Sequence, residues 1–490
     1  MGFSPDAFGS DASPFLEETV ADGPVWSPVF RHGCNFDGAV FNRVMLNLIK
    51  NPNINSSWLF RADILLNREG AEALEGVAPF ENQPPLPTFK SFQCERVIVR
   101  RMIPRNAQRD QPLDQTCVLY TGTDSGRSLV IYLPHFKSEA DVPFYHPAVR
   151  GIAFLHEWKE GESAGHISIH YVYFDRDNAA QKVTRTALSL LGMLYKHGEG
   201  EAKGYVKRVQ HDVLVPQPIL QDRYAKLKQK YARTLVDNWM ESTDPGKHVF
   251  EDLCIAAFLI ELWNDMYKDS KFPGFVDIGC GNGLLVYILN QEGYTGWGFD
   301  ARARKSWDTY NTKASTSEFA GVQDSLQQLI LLPSIAMKGD SDTRDIATDR
   351  IHNGHFPKGT FIVSNHADEL TPWTPILGAL SDCPFIMIPC CSHDLTGAKF
   401  RAPPPKGKTA PKSTYYSLMT WVSDIAADCG WEVEKEMLRI PSTRNAAVIG
   451  RRRTADSSSI DFQAVVNRYG GTEGYFDNVV KLLKSNPRGH

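Results

Sequence analysis

Between residues 90 and 175 the apolar positions come in short runs with a period close to two. Arg96–Met102, Thr116–Tyr120, Leu129–Leu133, Ile152–Leu155 and Ile167–Phe174 read as strands, divided by turn-rich stretches such as Thr121–Gly126. In the last of them Ile167, Ile169, Tyr171 and Tyr173 fall on one face, the alternation of a half-buried strand. This segment predicts a mostly antiparallel sheet. The period then lengthens to that of a helix over Ala179–Tyr195 and Gln221–Met240. Asp244 followed by Pro245 marks a further helix start, with a cap side chain and a first residue that needs no amide hydrogen. That helix should bury Val249, Leu253, Ala256, Ala257 and Ile260. From Pro273 to about Arg453 strand and helix alternate, which favours a parallel, doubly wound α/β sheet. The ends are less patterned. Residues 1–57 mix Pro, Gly, Asp and aromatics and read as a loosely ordered lead-in, and residues 456–490 read as a tail. The predicted organisation is therefore an accessory α+β domain over 58–243 and an α/β domain over 244–455.

Composition narrows the class without changing this picture. A chain of 490 residues exceeds one ordinary core, and 42% hydrophobic with 22% charged residues is globular usage. The longest apolar run, Leu253 to Trp263, is broken by Glu261 and falls short of the roughly 20 residues of a membrane span. The acidic amino terminus lacks a basic segment followed by an apolar core, so the expectation is an intracellular protein without a secretory signal. Nine cysteines, an odd number, fit reduced thiols better than a disulfide framework. The net charge of −4 means that any nucleic-acid contact must come from local patches. Two are visible. One is Arg96, Arg100, Arg101, Arg105 and Arg109; the other is Lys399, Arg401, Lys406, Lys408 and Lys412 in a Pro/Gly-rich stretch.

The most specific chemistry lies in Phe275–Gly283, FVDIGCGNG, followed by the apolar run Leu284–Leu289. A short strand runs into glycines that permit a tight turn and close approach of backbone to ligand, at the start of a helix. A second strand ends at Asp300, about 20 residues on, where an acid can accept hydrogen bonds from ribose hydroxyls. Gly279, Gly281 and Gly283 give G-x-G-x-G, not the dinucleotide fingerprint, whose third glycine would stand where Leu284 is. Asp277, just ahead of the loop, would repel a pyrophosphate but suits the sulfonium and ammonium of S-adenosyl-L-methionine (AdoMet). The predicted cofactor contacts are Asp277, Gly279, Gly281, Asn282, Gly283 and Asp300, with Asn365 from a later strand.

That later strand, beginning at Thr360, breaks into Asn365, His366, Asp368 and Glu369. Ligands of a doubly wound sheet bind beyond the carboxyl ends of its strands, which puts this cluster opposite the glycine loop. Methyl transfer needs an acceptor held in line with the methyl group, and a hydroxyl acceptor must also lose its proton. Asp368 is the first candidate for the base and His366 the second, with Glu369 facing substrate. The next strand ends at Cys390, Cys391 and His393; with no second ligand pair, no metal is expected, and His393 is read as a substrate contact. Arg439 and Arg444, in a turn joining two antiparallel strands, are expected to reach the same crevice.

The motifs VDIGCGNGLLVYIL, SNHADELTPWTP, IPCCSHDL and RIPSTRN together resemble the eukaryotic family of tRNA uridine 2'-O-methyltransferases that modify uridine 44 of serine tRNAs. With RRMIPRNAQRDQPLDQTC and TDPGKHVFEDLCIAAFLIELW the resemblance spans roughly residues 90 to 450. It implies a class I, Rossmann-like methyltransferase domain, AdoMet as methyl donor, tRNA as substrate and a cytoplasmic enzyme. The basic cluster of the accessory domain, with Arg100, Arg101 and Arg105, is then expected to contact that tRNA. Two other readings are open at this point: a methyltransferase acting on another RNA position, a base or a protein, and a tRNA-binding subunit without turnover.

Overall fold

The computed structural model describes the chain except for residues 1, 10–11, 21–22, 71, 73–74, 107–108, 125, 159–160, 162–163, 176–180, 206–210, 316–321, 338–347, 406–412 and 485–490. It divides into two compact units, Met1–Lys207 and Arg208–His490.

The first unit is an eight-stranded antiparallel sheet. Its strands are β1 (Asp6–Ala7), β2 (Ser27–Cys34), β3 (Leu59–Glu69), β4 (Phe92–Pro104), β5 (Leu113–Gly122), β6 (Arg127–Pro134), β7 (Val149–Trp158) and β8 (Gly165–Tyr173), in the order β1-β2-β8-β7-β6-β5-β4-β3. Two helices, α1 (Gly38–Lys50) and α2 (Gln181–Ala202), cover one face. Ile167, Ile169 and Tyr171 turn toward them, as the alternation requires. The first 57 residues are not a loose lead-in. β2 pairs with β8, and α1 buries Val40, Phe41, Val44, Met45, Leu48 and Ile49 under an Asp37 cap. Their i, i+1, i+4 spacing is a helix signal that the Pro- and Gly-rich sequence before it obscured.

The second unit begins earlier than the sequence pattern suggested, at 208 and not 244. Helix α3 (Gln217–Asp237) sets Leu220, Leu227, Tyr231 and Leu235 into the same core as α4 (Pro245–Met266) and so belongs with it. Asp244 caps α4, its carboxylate accepting from the Gly246 amide at 2.9 Å. After β9 (Phe275–Ile278), α5 (Leu284–Gln291) and β10 (Gly296–Asp300) come the short α6 (Trp307–Tyr310) and a ribbon of β11 (Lys313–Ser315) and β12 (Val322–Asp324). Next are β13 (Leu326–Gln328) and the pair β14 (Ile330–Leu331) and β15 (Ile351–His352). Then follow β16 (Phe361–Asn365), α7 (Thr374–Leu380), β17 (Phe385–Ile388), α8 (Thr414–Asp428), β18 (Trp431–Met437) and β19 (Ala446–Arg453).

The main sheet has the order β13-β10-β9-β16-β17-β19-β18. The pairings among β13, β10, β9, β16 and β17 are parallel, and β19 runs antiparallel to both its neighbours. Successive residues of its strands enter opposite cores. Phe275, Phe361, Val363, Ile386 and Ile388 pack toward α3, α4 and α5, while Val276, Ile278, Ile362, Phe385 and Met387 pack toward α7 and α8. Both faces are covered, which is why these strands read as continuous apolar runs. The carboxyl-terminal stretch is also structured: α9 (Phe462–Arg468) and α10 (Tyr475–Lys484) place Val465, Val466, Tyr475 and Val479 in the second core. No helix of the described residues is long and apolar enough to cross a membrane.

Candidate active site

A cleft of about 900 Å³ opens in the second unit beyond the carboxyl ends of β9, β10 and β16. One wall is the glycine loop. Gly279, Gly281 and Gly283 have φ of 75, 53 and 77°, left-handed values that favour glycine. A Cβ on Gly281 would meet nothing within 4 Å, so this backbone faces open space, whereas one on Gly283 would lie 2.4 Å from a Leu326 methyl. The Asp300 carboxylate clamps the loop, accepting from the amides of Gly281 and Arg302, both at 3.1 Å. Asn282 stays within the wall, its side chain accepting from the Leu284 amide at 2.9 Å. Asp277 is 2% exposed at the floor and its Oδ1 has no partner among the described residues. Burial, and secondarily Asp300, push its carboxyl up to about 8.

The opposite wall is the segment after β16. Asn365, His366, Asp368 and Glu369 all line the cleft, with His366 and Asp368 themselves in the left-handed region at φ 52 and 45°. Asp368 Oδ1 accepts from the Cys390 thiol at 3.1 Å. A carboxylate oxygen and the sulfurs of Cys390 and Cys391 lie within 4.8 Å of one another, a grouping with metal-ligand character. Burial and the adjacent Asp368 push both thiols up, which suits them as hydrogen-bond donors to the carboxylate.

Two acids that sequence reasoning passed over also line the cleft, from α4. Glu251 is 5% exposed, and its Oε1 meets His366 Nε2 at 2.9 Å. Asp252 approaches Asn365 Nδ2 at 3.5 Å and is pushed well up, first by burial and then by Glu251 and Asp277. The signal was present: two adjacent acids in an otherwise apolar helix face, which burial makes costly unless they are used.

Family models match the first unit and part of the second. One described as "TRM44-like, N-terminal bet v1-like domain" matches residues 6–208, and one described as "Predicted AdoMet-dependent methyltransferase" matches residues 214–323. The chain is 58% identical to the tRNA (uracil-O(2)-)-methyltransferase of Neurospora crassa, over 99% of this chain and 98% of that one. The chain belongs to the tRNA (uracil-O(2)-)-methyltransferase family. Its Schizosaccharomyces pombe relative is 40% identical over 95% of this chain and 94% of its own, and the Saccharomyces cerevisiae relative 37% over 96% and 94%.

Several arginines expected at the substrate in this tRNA methyltransferase family member take structural places. Arg100 is 3% exposed and donates to Gln115 and to the carbonyls of Leu48 and Ile49, closing the end of α1. Arg101 pairs with Asp114 at 2.7 Å. Arg439 does not line the cleft; its guanidinium holds Asp212 at 2.9 Å, while Glu436 accepts from the amides of Asp212, Val213 and Leu214. His393 is 2% exposed, and neither it nor Lys399 nor Arg401 lines the cleft. Lys406, Lys408 and Lys412 lie outside the described residues. Arg444 does line it, its guanidinium 4.6 Å from the Tyr415 ring centroid. Among the described residues the other cations of the rim are Lys247, Arg302, Arg304 and Lys305, and α10 contributes Tyr475 and Asn478.

Proposed function

We propose that this chain transfers the methyl group of AdoMet to the ribose 2'-oxygen of a uridine in tRNA, uridine 44 of serine tRNAs by family resemblance. The strand order, with helices on both faces, supports a doubly wound, Rossmann-like class I methyltransferase domain. AdoMet, when bound, supplies an electrophilic methyl group on a sulfonium. The cleft fits it on three counts: open space at Gly281, the unpartnered Asp277 carboxyl for a cationic ligand, and Asp300 at the strand end for ribose hydroxyls.

The observation that carries the choice of acceptor is the His366–Glu251 contact. A uracil carbonyl oxygen has no proton to lose, whereas a ribose hydroxyl must lose one as its oxygen attacks. With Nε2–H donated to Glu251, the His366 lone pair is on Nδ1, a buried atom of the cleft wall with no partner among the described residues. We assign His366 as the base and Glu251 as the residue that positions it. Asp368, already accepting from Cys390, is the second candidate. Asn365 and Asp252 shape the cofactor end, and Glu369 faces substrate.

The deciding experiment is nucleoside mass spectrometry of tRNA incubated with the protein and methyl-labelled AdoMet. Label in 2'-O-methyluridine is expected; label on a base, or none, overturns the proposal. Within that assay, Arg304→Glu with Lys305→Glu is expected to raise KM for tRNA at least about tenfold, with kcat little changed, because phosphate contacts position the substrate without entering the chemistry. An unaltered KM would show that these cations do not meet RNA.

Proton linkage offers an independent test. Burial raises the Asp277 carboxyl to about 8, and a cationic ligand favours the ionised form. AdoMet affinity should therefore rise with pH, by up to about tenfold per unit below that value, and level off above it. Because the native acid holds its proton more tightly than the unfolded chain does, the unliganded protein should lose stability as pH rises from the ordinary 3.8 toward 8. Buried Asp252 acts in the same direction. Calorimetry in buffers of different ionisation enthalpy reads the proton released; a flat affinity with no release would refute the linkage.

A further inference from the structure

At one rim of the sheet in the first unit lies a group of side chains that the reaction does not use. Antiparallel order brings the start of β3, β5 and β7 and the end of β4, β6 and β8 to the same edge, where α2 also begins. Trp58 and Phe144 stand there 43% and 57% exposed, their rings edge to face with centroids 5.1 Å apart. Cations lie over the aromatics. The Arg109 guanidinium is 5.8 Å from the Trp58 centroid and that of Arg105 is 5.9 Å from Phe60. The Lys182 ammonium is 3.7 Å from Phe144 and also donates to its carbonyl at 2.9 Å.

These cations differ from their neighbours in strand β4. Arg100 is buried and Arg101 is paired with Asp114, but Arg105, Arg109 and Lys182 are exposed and make no ion pair with a carboxylate among the described residues. Large exposed rings are uncommon on a surface without a partner, and cations left unneutralised beside them favour a ligand with both negative charge and flat faces. RNA has both: phosphates for the cations, and unstacked bases for the rings. With a net charge of −4 the chain has no general attraction for a polyanion, so such attraction must come from a local surface.

We infer that this rim, centred on Trp58, Phe144, Arg105, Arg109 and Lys182, is an RNA-binding surface that holds an unpaired stretch of the substrate. The inference rests on the proposed tRNA reading and extends it to a unit that takes no part in the chemistry. Two variants of the full chain separate the two components. Arg105→Gln, Arg109→Gln and Lys182→Gln together are expected to weaken tRNA binding about tenfold or more and to lower the slope of log affinity against log salt by about two. Trp58→Leu with Phe144→Leu is expected to weaken binding about tenfold with the slope retained, since stacking releases no counterions. All five side chains are exposed, so the circular dichroism spectrum and AdoMet affinity should not move.

Unchanged tRNA affinity and salt slope in both variants would overturn the inference and leave the rim to a protein partner. That failure is distinct from failure of the functional reading. If the unaltered chain labels uridine in tRNA and both variants bind and methylate as it does, only the RNA surface falls; if the unaltered chain labels no tRNA, the functional reading falls first.

Discussion

Replacing His366 by glutamine is expected to slow the methyl-transfer step about 10²- to 10⁴-fold, with the affinities for AdoMet and tRNA little changed. The reason is the arrangement behind the ring. Glu251 is buried on α4 and meets Nε2 at 2.9 Å, which selects the tautomer with its lone pair on Nδ1. Glu251→Gln should therefore cost most of what His366→Gln costs, because an amide can donate to Nε2 and reverse the tautomer, placing the proton on the atom that must accept one. Glu251→Asp, which restores an acceptor at a longer reach, should recover part of the rate. The double variant should be little worse than either single one, since both changes disable the same group. Single-turnover methylation measures this step apart from product release. If His366→Gln is near normal and Asp368→Asn collapses, the base is Asp368; if both are near normal, positioning alone suffices.

The second large effect is expected at the glycine loop, and it differs sharply between two glycines only two residues apart. Gly281→Val should reduce AdoMet affinity by about a hundredfold or more with the fold retained: its Cβ faces open cleft, so the branched side chain occupies the space where backbone must approach the ligand. Its φ of 53° adds strain of about 1 kcal/mol for a residue with a side chain. Gly283→Val should instead destabilise the unit, because its Cβ would stand 2.4 Å from a Leu326 methyl on the neighbouring β13. Calorimetry for the cofactor, together with a thermal melt, separates the two outcomes. A Gly281→Val protein that melts normally and binds AdoMet at full affinity would remove the loop from the cofactor site.

Much of the lining of the candidate site was legible in the sequence because it is local. The loop from Asp277 to Gly283 specifies a tight strand-to-helix turn through residues adjacent in the chain, and Asn365 to Glu369 stand at a strand end by their own period. The order of strand and helix was enough to expect a sheet covered on both faces, and the strand end then predicts which side of the sheet the polar groups face.

What the sequence could not decide were pairings between distant residues. Whether an arginine is a substrate contact or a brace depends on the partner that folding brings to it: Arg100 meets the carbonyls at the end of α1, Arg439 meets Asp212, and Arg105 and Arg109 meet no acid among the described residues. All four read alike as a basic residue in a polar segment. The limits of the second unit likewise depended on α3 packing against α4 and on α10 joining the cleft, contacts between apolar faces that local pattern does not pair. The same holds for the chemistry. The sequence by itself determined that His366 and Asp368 would share a crevice with the glycine loop; only the tertiary structure placed Glu251, 115 residues away, against one of them, because a long-range hydrogen bond leaves no periodic trace in the chain.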